Sequence, residues 1–373
     1  MLERINPQQL AELFLQKTPL VDVRAPIEFE VGSLPNAVNL PLMNDEERAA
    51  VGTTYKNEGK EKAVALGHEL VSGSVREERI ERWKRFIQTH PECVLYCFRG
   101  GLRSQISQRW LKELGIHRPI IEGGYKEARS FLRETLETKV QKFPFWVLSG
   151  PTGSAKTHLL ENLSESIPVI DLEKAAHHRG SAFGAMGSCQ STQINFENDI
   201  AVQTLKILKQ DRQQQRVLIE DESRMIGQCV VPEELFLVMR QAPVLYVDES
   251  LENRVENIFA DYISSTAIGG LKPKEGNELF NRYRNSVLQI SKKLGGLRTQ
   301  ELLQDLLFAQ SDFNDHQGLE LNRVWIRKLL EYYYDPLYAQ SFSKRNPSIA
   351  FRGSGVEVSQ FIHDFDYGEI APQ

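Results

Sequence analysis

The sequence predicts an α/β protein of two successive units followed by a helical C-terminal region, and three observations carry that reading. Short apolar strands alternate with amphipathic helical segments through roughly the first 135 residues. A second series of strands begins at Trp146–Leu148, the first of them running directly into a glycine-containing loop. Beyond Ser250 the pattern is purely helical. These observations place the units at 1–137 and 140–250, with 251–373 a helical region packed on the second unit.

Asn6 and Pro7 open a helix with Leu10, Leu13 and Phe14 on one face, and Leu20–Val23 is the first strand. A helix carrying Ile80, Trp83 and Phe86 leads to the strand Val94–Tyr96. A further helix with Ile106, Trp110 and Leu114 precedes Ile120 and Ile121, and the charged stretch Tyr125–Lys142 is helical. In the second unit the later strands are Val169–Ile170, Val217–Ile219 and Val244–Val247, separated by helical patterns, as in a parallel sheet covered by helices. The C-terminal helices carry Val255, Ile258 and Phe259, then Leu279, Phe280, Tyr283, Val287, Ile290 and Leu294, with Gly295 as a stop.

At 373 residues the chain is long enough for more than one core, and its 41% hydrophobic and 25% charged composition is that of globular proteins. No apolar tract is long enough to span a bilayer, and the N-terminus lacks the basic start and apolar block of a signal peptide. Cys93, Cys97, Cys189 and Cys229 form no CxxC pair, which excludes a disulfide framework or zinc set and points to a reducing, cytoplasmic setting. A net charge of −5 leaves a nucleic-acid partner to a local basic patch.

Two loops carry chemistry. In Val94-Leu95-Tyr96-Cys97-Phe98-Arg99-Gly100-Gly101-Leu102-Arg103-Ser104 a cysteine ends a buried strand, and a short loop then opens a helix. Loop amides, the positive end of the helix, Arg99 and Arg103 favour a thiolate at Cys97, and Gly100 and Gly101 permit close backbone approach. Cys93 reads as a buried structural thiol. In Gly150-Pro151-Thr152-Gly153-Ser154-Ala155-Lys156-Thr157 the strand–loop–helix context is that of a phosphate-binding P-loop. Gly150, Gly153 and Ser154 shape the amide cradle, Lys156 balances phosphate charge, and Thr157 is placed to hold Mg²⁺. Ala155 stands where glycine is usual; its methyl either crowds the phosphate or is accommodated in a helical conformation. After Val217–Ile219 come Glu220, Asp221 and Glu222, of which Asp221 is the candidate metal-binding or acid residue.

The cysteine loop resembles the active-site loop of the rhodanese superfamily, and DVRAPIEFEVGSLPNAVNLP matches that family's second landmark, in which Asp22 and Arg24 are structural. The same fold hosts dual-specificity phosphatases, whose Cys, five residues, Arg spacing is met by Cys97 and Arg103. Over nearly its whole length the chain is similar to bacterial tRNA 2-selenouridine synthases, through DVRAPIEF, ERAAVGTTYKNEGKEKAVALGHELV, YCFRGGLRS, GPTGSAKT, DLEKAAHHRGSAFG and IEDESRMIG. That resemblance implies an N-terminal rhodanese-like domain, a central P-loop domain and two linked reactions on wobble 2-thiouridine in the tRNA anticodon region. The sulfur is geranylated from geranyl diphosphate, held at the P-loop, and selenium from selenophosphate then replaces the geranylthio group, bound or carried by Cys97. The alternatives are a phosphatase or sulfurtransferase with a regulatory nucleotide site, and a non-catalytic tRNA-binding protein.

For tRNA, the basic stretch from Lys272 to Arg298, with Arg282, Arg284, Lys292 and Lys293, locally reverses the overall charge. Arg76, Arg79, Arg82, Lys84 and Arg85 form a second candidate diluted by glutamates, and Tyr332–Tyr334 is either a stacking surface or core.

Overall fold

A computed structural model describes residues 3–178, 190–210, 215–264, 273–314 and 319–366. It resolves into two compact units. The first comprises Met1–Lys142, Ser191–Asp211 and Gln228–Glu234; the second comprises Phe143–Gln190, Arg212–Gly227 and Leu235–Gln373.

The first unit is built on a five-stranded sheet of β1 (Arg4–Ile5), β2 (Leu20–Asp22), β3 (Ala37–Asn39), β4 (Val94–Tyr96) and β5 (Ile120–Ile121), in the order β1-β5-β4-β2-β3. Every pairing is parallel. Parallel strands need crossovers and are buried on both faces, which is why β2 and β4 are buried at every residue and read as apolar runs but for Asp22. Val21, Leu95, Trp83, Trp110 and Leu111 fill the core. The outer strands β1 and β3 are part-exposed and carry polar residues, so they lack the apolar run that marks the inner strands. The helices Asp45–Glu58 and Lys60–Leu70 pack on each other, the first opened by a capping box in which Asn44 accepts from the Glu47 amide at 2.8 Å.

The helix Gln193–Lys209, which follows β-structure of the second unit in sequence, groups with the first. Asn195 accepts from the Ser33 amide at 2.8 Å, and the Asn198 amide donates to the Ser33 carbonyl at 2.7 Å. Arg129 donates to Asn198 at 2.9 Å and pairs with Glu197. A linear division of the chain does not capture this return, because helical periodicity reports a buried face and not what covers it.

The second unit holds another all-parallel sheet: β6 (Phe145–Ser149), β7 (Val169–Ile170), β8 (Val217–Glu220), β9 (Val244–Val247) and β10 (Ile349–Gly353), in the order β10-β9-β6-β8-β7. β10 is an addition to the sequence reading, which saw only helix beyond Ser250. Its residues are mostly exposed, so the edge strand lacks an apolar run. The helix Gly355–Asp366 follows it, and Val358 and Ile362 enter the sheet core with Trp146, Leu148 and Leu245. The intervening helices enclose a separate cluster around Phe280, Val287, Leu306 and Trp325, against which Tyr332, Tyr333 and Tyr334 pack. The tyrosine cluster is therefore packing, not an open stacking face. Among the described residues no helix is long and apolar enough to cross a membrane.

Beside the first sheet, Arg24 and Asp22 form a fully buried pair. The Arg24 Nε donates to Asp22 Oδ2 at 2.9 Å, its Nη2 to the same oxygen at 2.6 Å and to the Gly32 carbonyl at 2.8 Å. Its guanidinium lies 3.9 Å from the Tyr125 ring centroid. Removing one member strands the other charge. Arg24→Met should cost about 3–5 kcal/mol, and combining it with Asp22→Asn should recover much of the loss, as read from urea unfolding of the full chain. Equal stability of Arg24→Met and the parent would show that the pair holds nothing.

Candidate active site

Both candidate loops leave the C-terminal end of the middle strand of their sheet, where parallel α/β sheets place ligands. In the first unit β4 ends at Tyr96 and Cys97 turns into the helix Leu102–Glu113. The Cys97 Sγ lies 3.2 Å from Ser104 Oγ and 3.9 Å from the Gly101 carbonyl. The loop is pinned from behind: the Tyr125 amide donates to the Cys97 carbonyl at 2.8 Å and the Lys126 amide to the Phe98 carbonyl at 3.0 Å. A side chain at Gly124, whose φ is +62°, would collide with the Cys97 carbonyl and the Gly100 amide. This close approach accounts for the Gly123-Gly124 pair in the sequence.

The two loop arginines part company. Arg99 is exposed, its guanidinium 5.7 Å from the Phe98 ring centroid. Arg103 is engaged by Glu28, with Nη1 and Nη2 donating to its two oxygens at 2.6 and 3.2 Å. Burial opposes ionisation of Glu28, but the Arg103 hydrogen bond and charge outweigh it and hold the carboxyl below its ordinary range. A phosphatase needs that arginine for its phosphate; here a carboxylate takes both ends of the fork. Glu28 and Ser104 are contributors that sequence reasoning did not single out, although both lie inside quoted motifs. Cys93 is fully buried, and burial pushes its thiol up to about 11, in keeping with a structural role.

In the second unit the loop Gly150–Ala155 opens the helix Lys156–Leu163. Gly153, Ser154, Ala155, Lys156 and Thr157 line a cavity of about 370 Å³ that is closed on other sides by Glu173, Glu222 and Arg345. Ala155 is not helical in the ordinary sense: it takes the left-handed conformation, φ +56° and ψ +29°, at the helix cap. For a residue with a Cβ this costs roughly 1–2 kcal/mol. Two residues beyond Ser250 brace the loop, since Asn257 Nδ2 donates to the Gly153 carbonyl at 2.9 Å and Arg254 Nη1 to the Thr152 carbonyl at 3.3 Å. Arg254 is itself held by Asp335 at 2.7 Å.

The acids after β8 divide their work. Asp221, the sequence candidate, faces arginines: Arg345 Nη2 donates to it at 2.6 Å, Arg240 lies 3.7 Å away, and Ser149 donates to it as well. A carboxylate so compensated is poorly placed to take a metal or a proton. The acids facing Lys156 are Glu222, Glu220 and Glu173. Thr157 Oγ1 donates to Glu173 Oε2 at 3.1 Å, and the Glu220 Oε2 is buried with no hydrogen-bond partner among the described residues. Burial first, then Glu173, raises Glu220 well above the usual carboxylate range and Glu222 to about 8. Burial lowers Lys156, against the pull of Glu222 and Glu220. Its Nζ donates to the Gly150 and Pro151 carbonyls at 2.8 and 3.2 Å. Among the described residues no group of three or more His, Cys, Asp or Glu side chains is arranged to hold a metal ion.

The proposed basic surface is smaller in structure than in sequence. Arg282, Lys292 and Lys293 are exposed, whereas Arg284 is half-buried and donates to Gln310 at 2.5 Å. Lys272 and the side chain of Lys274 lie outside the described residues, as do Cys189 and the Arg179–Gly184 stretch after Asp171. The alternative patch is internally paired: Arg76 with Glu113, Arg79 with Glu47, Arg82 with Glu78, and Lys84 and Arg85 with Glu81.

The raised Glu222 sets a pH dependence. The folded protein keeps that proton up to about pH 8, whereas the unfolded chain releases it in the ordinary carboxylate range. Between the two the folded state binds more protons, so stability falls as pH rises through that window. Glu222→Gln should flatten the decline between mildly acidic pH and pH 8, measured by urea unfolding across pH. A decline of equal slope in the variant would remove Glu222 as its source.

Residues 6–130 match the family described as the rhodanese-like domain, and residues 143–367 match the tRNA 2-selenouridine synthase AAA domain. The chain is 49% identical to a tRNA 2-selenouridine synthase of Bdellovibrio bacteriovorus, over 97% of this chain and 99% of that protein. It is 48% identical to that of Nitrosomonas europaea, over 96% and 98%, and 44% identical to that of Pseudomonas entomophila, over 94% of each. With both domains matched in order and relatives this similar end to end, the chain belongs to the tRNA 2-selenouridine synthase family and is an enzyme of that kind.

Proposed function

We propose that this enzyme makes 2-selenouridine from wobble 2-thiouridine in the anticodon region of tRNA, in the cytoplasm, by two reactions at two loops. In the first, the thiocarbonyl sulfur attacks the allylic carbon of geranyl diphosphate. A carbon–sulfur bond forms, the carbon–oxygen bond to diphosphate breaks, and the base loses its N3 proton. In the second, the selenium of selenophosphate attacks C2 of the base, and the geranylthio group leaves as the thiol after taking a proton. Water then cleaves the phosphorus–selenium bond, releasing phosphate, and the base regains its N3 proton. Alkylation is what makes sulfur a competent leaving group, which is the chemical reason for joining the two steps.

The observation that carries the reading is the presence, in one chain, of a cysteine cradle and a phosphate cradle each at the end of a central parallel strand. At the phosphate cradle, Lys156 exchanges its carbonyl partners for diphosphate oxygens and meets the charge that develops on the leaving group. Thr157 and Glu173, already paired, are the groups that would hold Mg²⁺ together with diphosphate oxygens, and the ion would supply further charge neutralisation there. At the cysteine cradle, Cys97 presents selenium to the base, with Ser104 and the Gly101 carbonyl fixing the sulfur.

Cys97→Ala should abolish selenium incorporation while geranylation continues, so that S-geranylated tRNA accumulates, as read by mass spectrometry of digested tRNA. Loss of both products from a folded variant would contradict the division of labour, and unchanged selenation would remove Cys97 from the reaction. For tRNA, we assign phosphate binding to the exposed Arg282, Lys292 and Lys293, with Arg284 positioned among them. Neutralising the four should lower the slope of log affinity against log salt by about one for each RNA phosphate that is no longer neutralised. Equal slopes for parent and variant would move the surface elsewhere.

A further inference from the structure

We infer that an apolar cleft in the first unit holds the geranyl chain of the S-geranylated base while selenium is delivered at Cys97, an inference that rests on the two-reaction reading above. The cleft measures about 380 Å³, within the range of roughly 300–1,000 Å³ usual for small-ligand sites. Its walls come from the helices Asp45–Glu58 and Lys60–Leu70 and from the helix that begins where the cysteine loop ends. Met43, Val64, Ile106 and Trp110 are among the apolar residues lining it, and among the described residues no carboxylate does.

Three features point to a hydrocarbon chain attached to RNA. First, the cleft leaves large apolar side chains in water, with Tyr55 59% and Leu102 47% exposed, a hydration cost that an apolar ligand relieves. Second, it adjoins the cysteine loop: Leu102 and Arg103 line it, and Cys97 packs in the same apolar cluster as Leu42, Met43, Val71 and Trp110, all of which line the cleft. A tail lying there would keep its sulfur near the cysteine loop. Third, the exposed charge at the lining is the cation Lys60, which suits a chain whose other end is a polyanion. Selenophosphate is small and fully polar and has no use for such walls. The geranyl group is apolar, flexible and branched, and it departs as a thiol from the carbon that selenium attacks.

The test uses the full-length protein and two anticodon stem-loop RNAs, one carrying S-geranyl-2-thiouridine and one S-methyl-2-thiouridine. The parent should bind the S-geranyl RNA about tenfold or more tightly than the S-methyl RNA, a preference of the size that a few methylenes in an apolar pocket supply. Val64→Trp, which fills the cleft, should remove the preference without changing the affinity for the S-methyl RNA. Tyr55→Glu, at an exposed position where folding is not at risk, should diminish it. A preference that survives in both variants, or is absent from the parent, overturns the inference. Mass spectrometry of the same proteins acting on 2-thiouridine tRNA separates the two levels. If the parent forms S-geranyl and then seleno products while the variants keep the binding preference, the cleft assignment alone fails. If no S-geranyl product ever forms, the two-reaction reading fails with it.

Discussion

Parallel pairing is the constraint on which both sites depend. A strand hydrogen-bonded to parallel neighbours on both sides must leave its sheet at the C-terminal edge, and the chain can return only through a helix packed on a face. β4 and β6 are the middle strands of their sheets, so each delivers its loop to the most enclosed point of that edge, beside a helix N-terminus. Backbone amides and the helix end then face whatever anion the loop takes. The two units thus solve one problem twice, with a cysteine in one and a lysine in the other.

What distinguishes the loops is how charge is arranged behind them. In the first unit the strong charges are paired with one another, Arg24 with Asp22 and Arg103 with Glu28, which stiffens the cradle and leaves the Cys97 sulfur beside the Ser104 hydroxyl and the Gly101 carbonyl. In the second unit several acids, of which Glu220 is fully buried, meet the half-buried Lys156, and desolvation holds Glu220 and Glu222 toward their protonated forms. When an anionic ligand recruits Lys156, these acids lose their nearest cation and are held more firmly in their protonated forms unless another cation enters. The division suits the two roles proposed for the loops, a sulfur centre in one and a phosphate centre that absorbs charge in the other.

Much of the fold was legible because its signals are local. Buried parallel strands such as Val94–Tyr96 and Val217–Ile219 are short apolar runs, and the two loops follow them at once. Cys97, Lys156 and Thr157 were readable for the same reason. What escaped depends on distance in sequence. The Arg103–Glu28 pair joins residues far apart, and Asn257 and Arg254 brace the phosphate loop from beyond Ser250. The choice among Glu220, Asp221 and Glu222 is fixed by Arg345 and Arg240, whose approach no local pattern reveals. The edge strand Ile349–Gly353 and the return of Gln193–Lys209 to the first unit escaped likewise, the one for want of an apolar run, the other for want of a visible partner.

The separation of the two reactions between the two loops is the central claim, and Lys156→Ala supplied with tRNA that is already S-geranylated tests it most directly. Without the lysine, geranylation of 2-thiouridine tRNA should fall about a hundredfold, the scale of removing one group that stabilises developing charge, on the order of 3 kcal/mol. Exchange of sulfur for selenium on the pre-geranylated tRNA should proceed at close to the parent rate. Failure of that exchange in a folded variant would contradict the separation and make the phosphate loop a participant in selenium transfer.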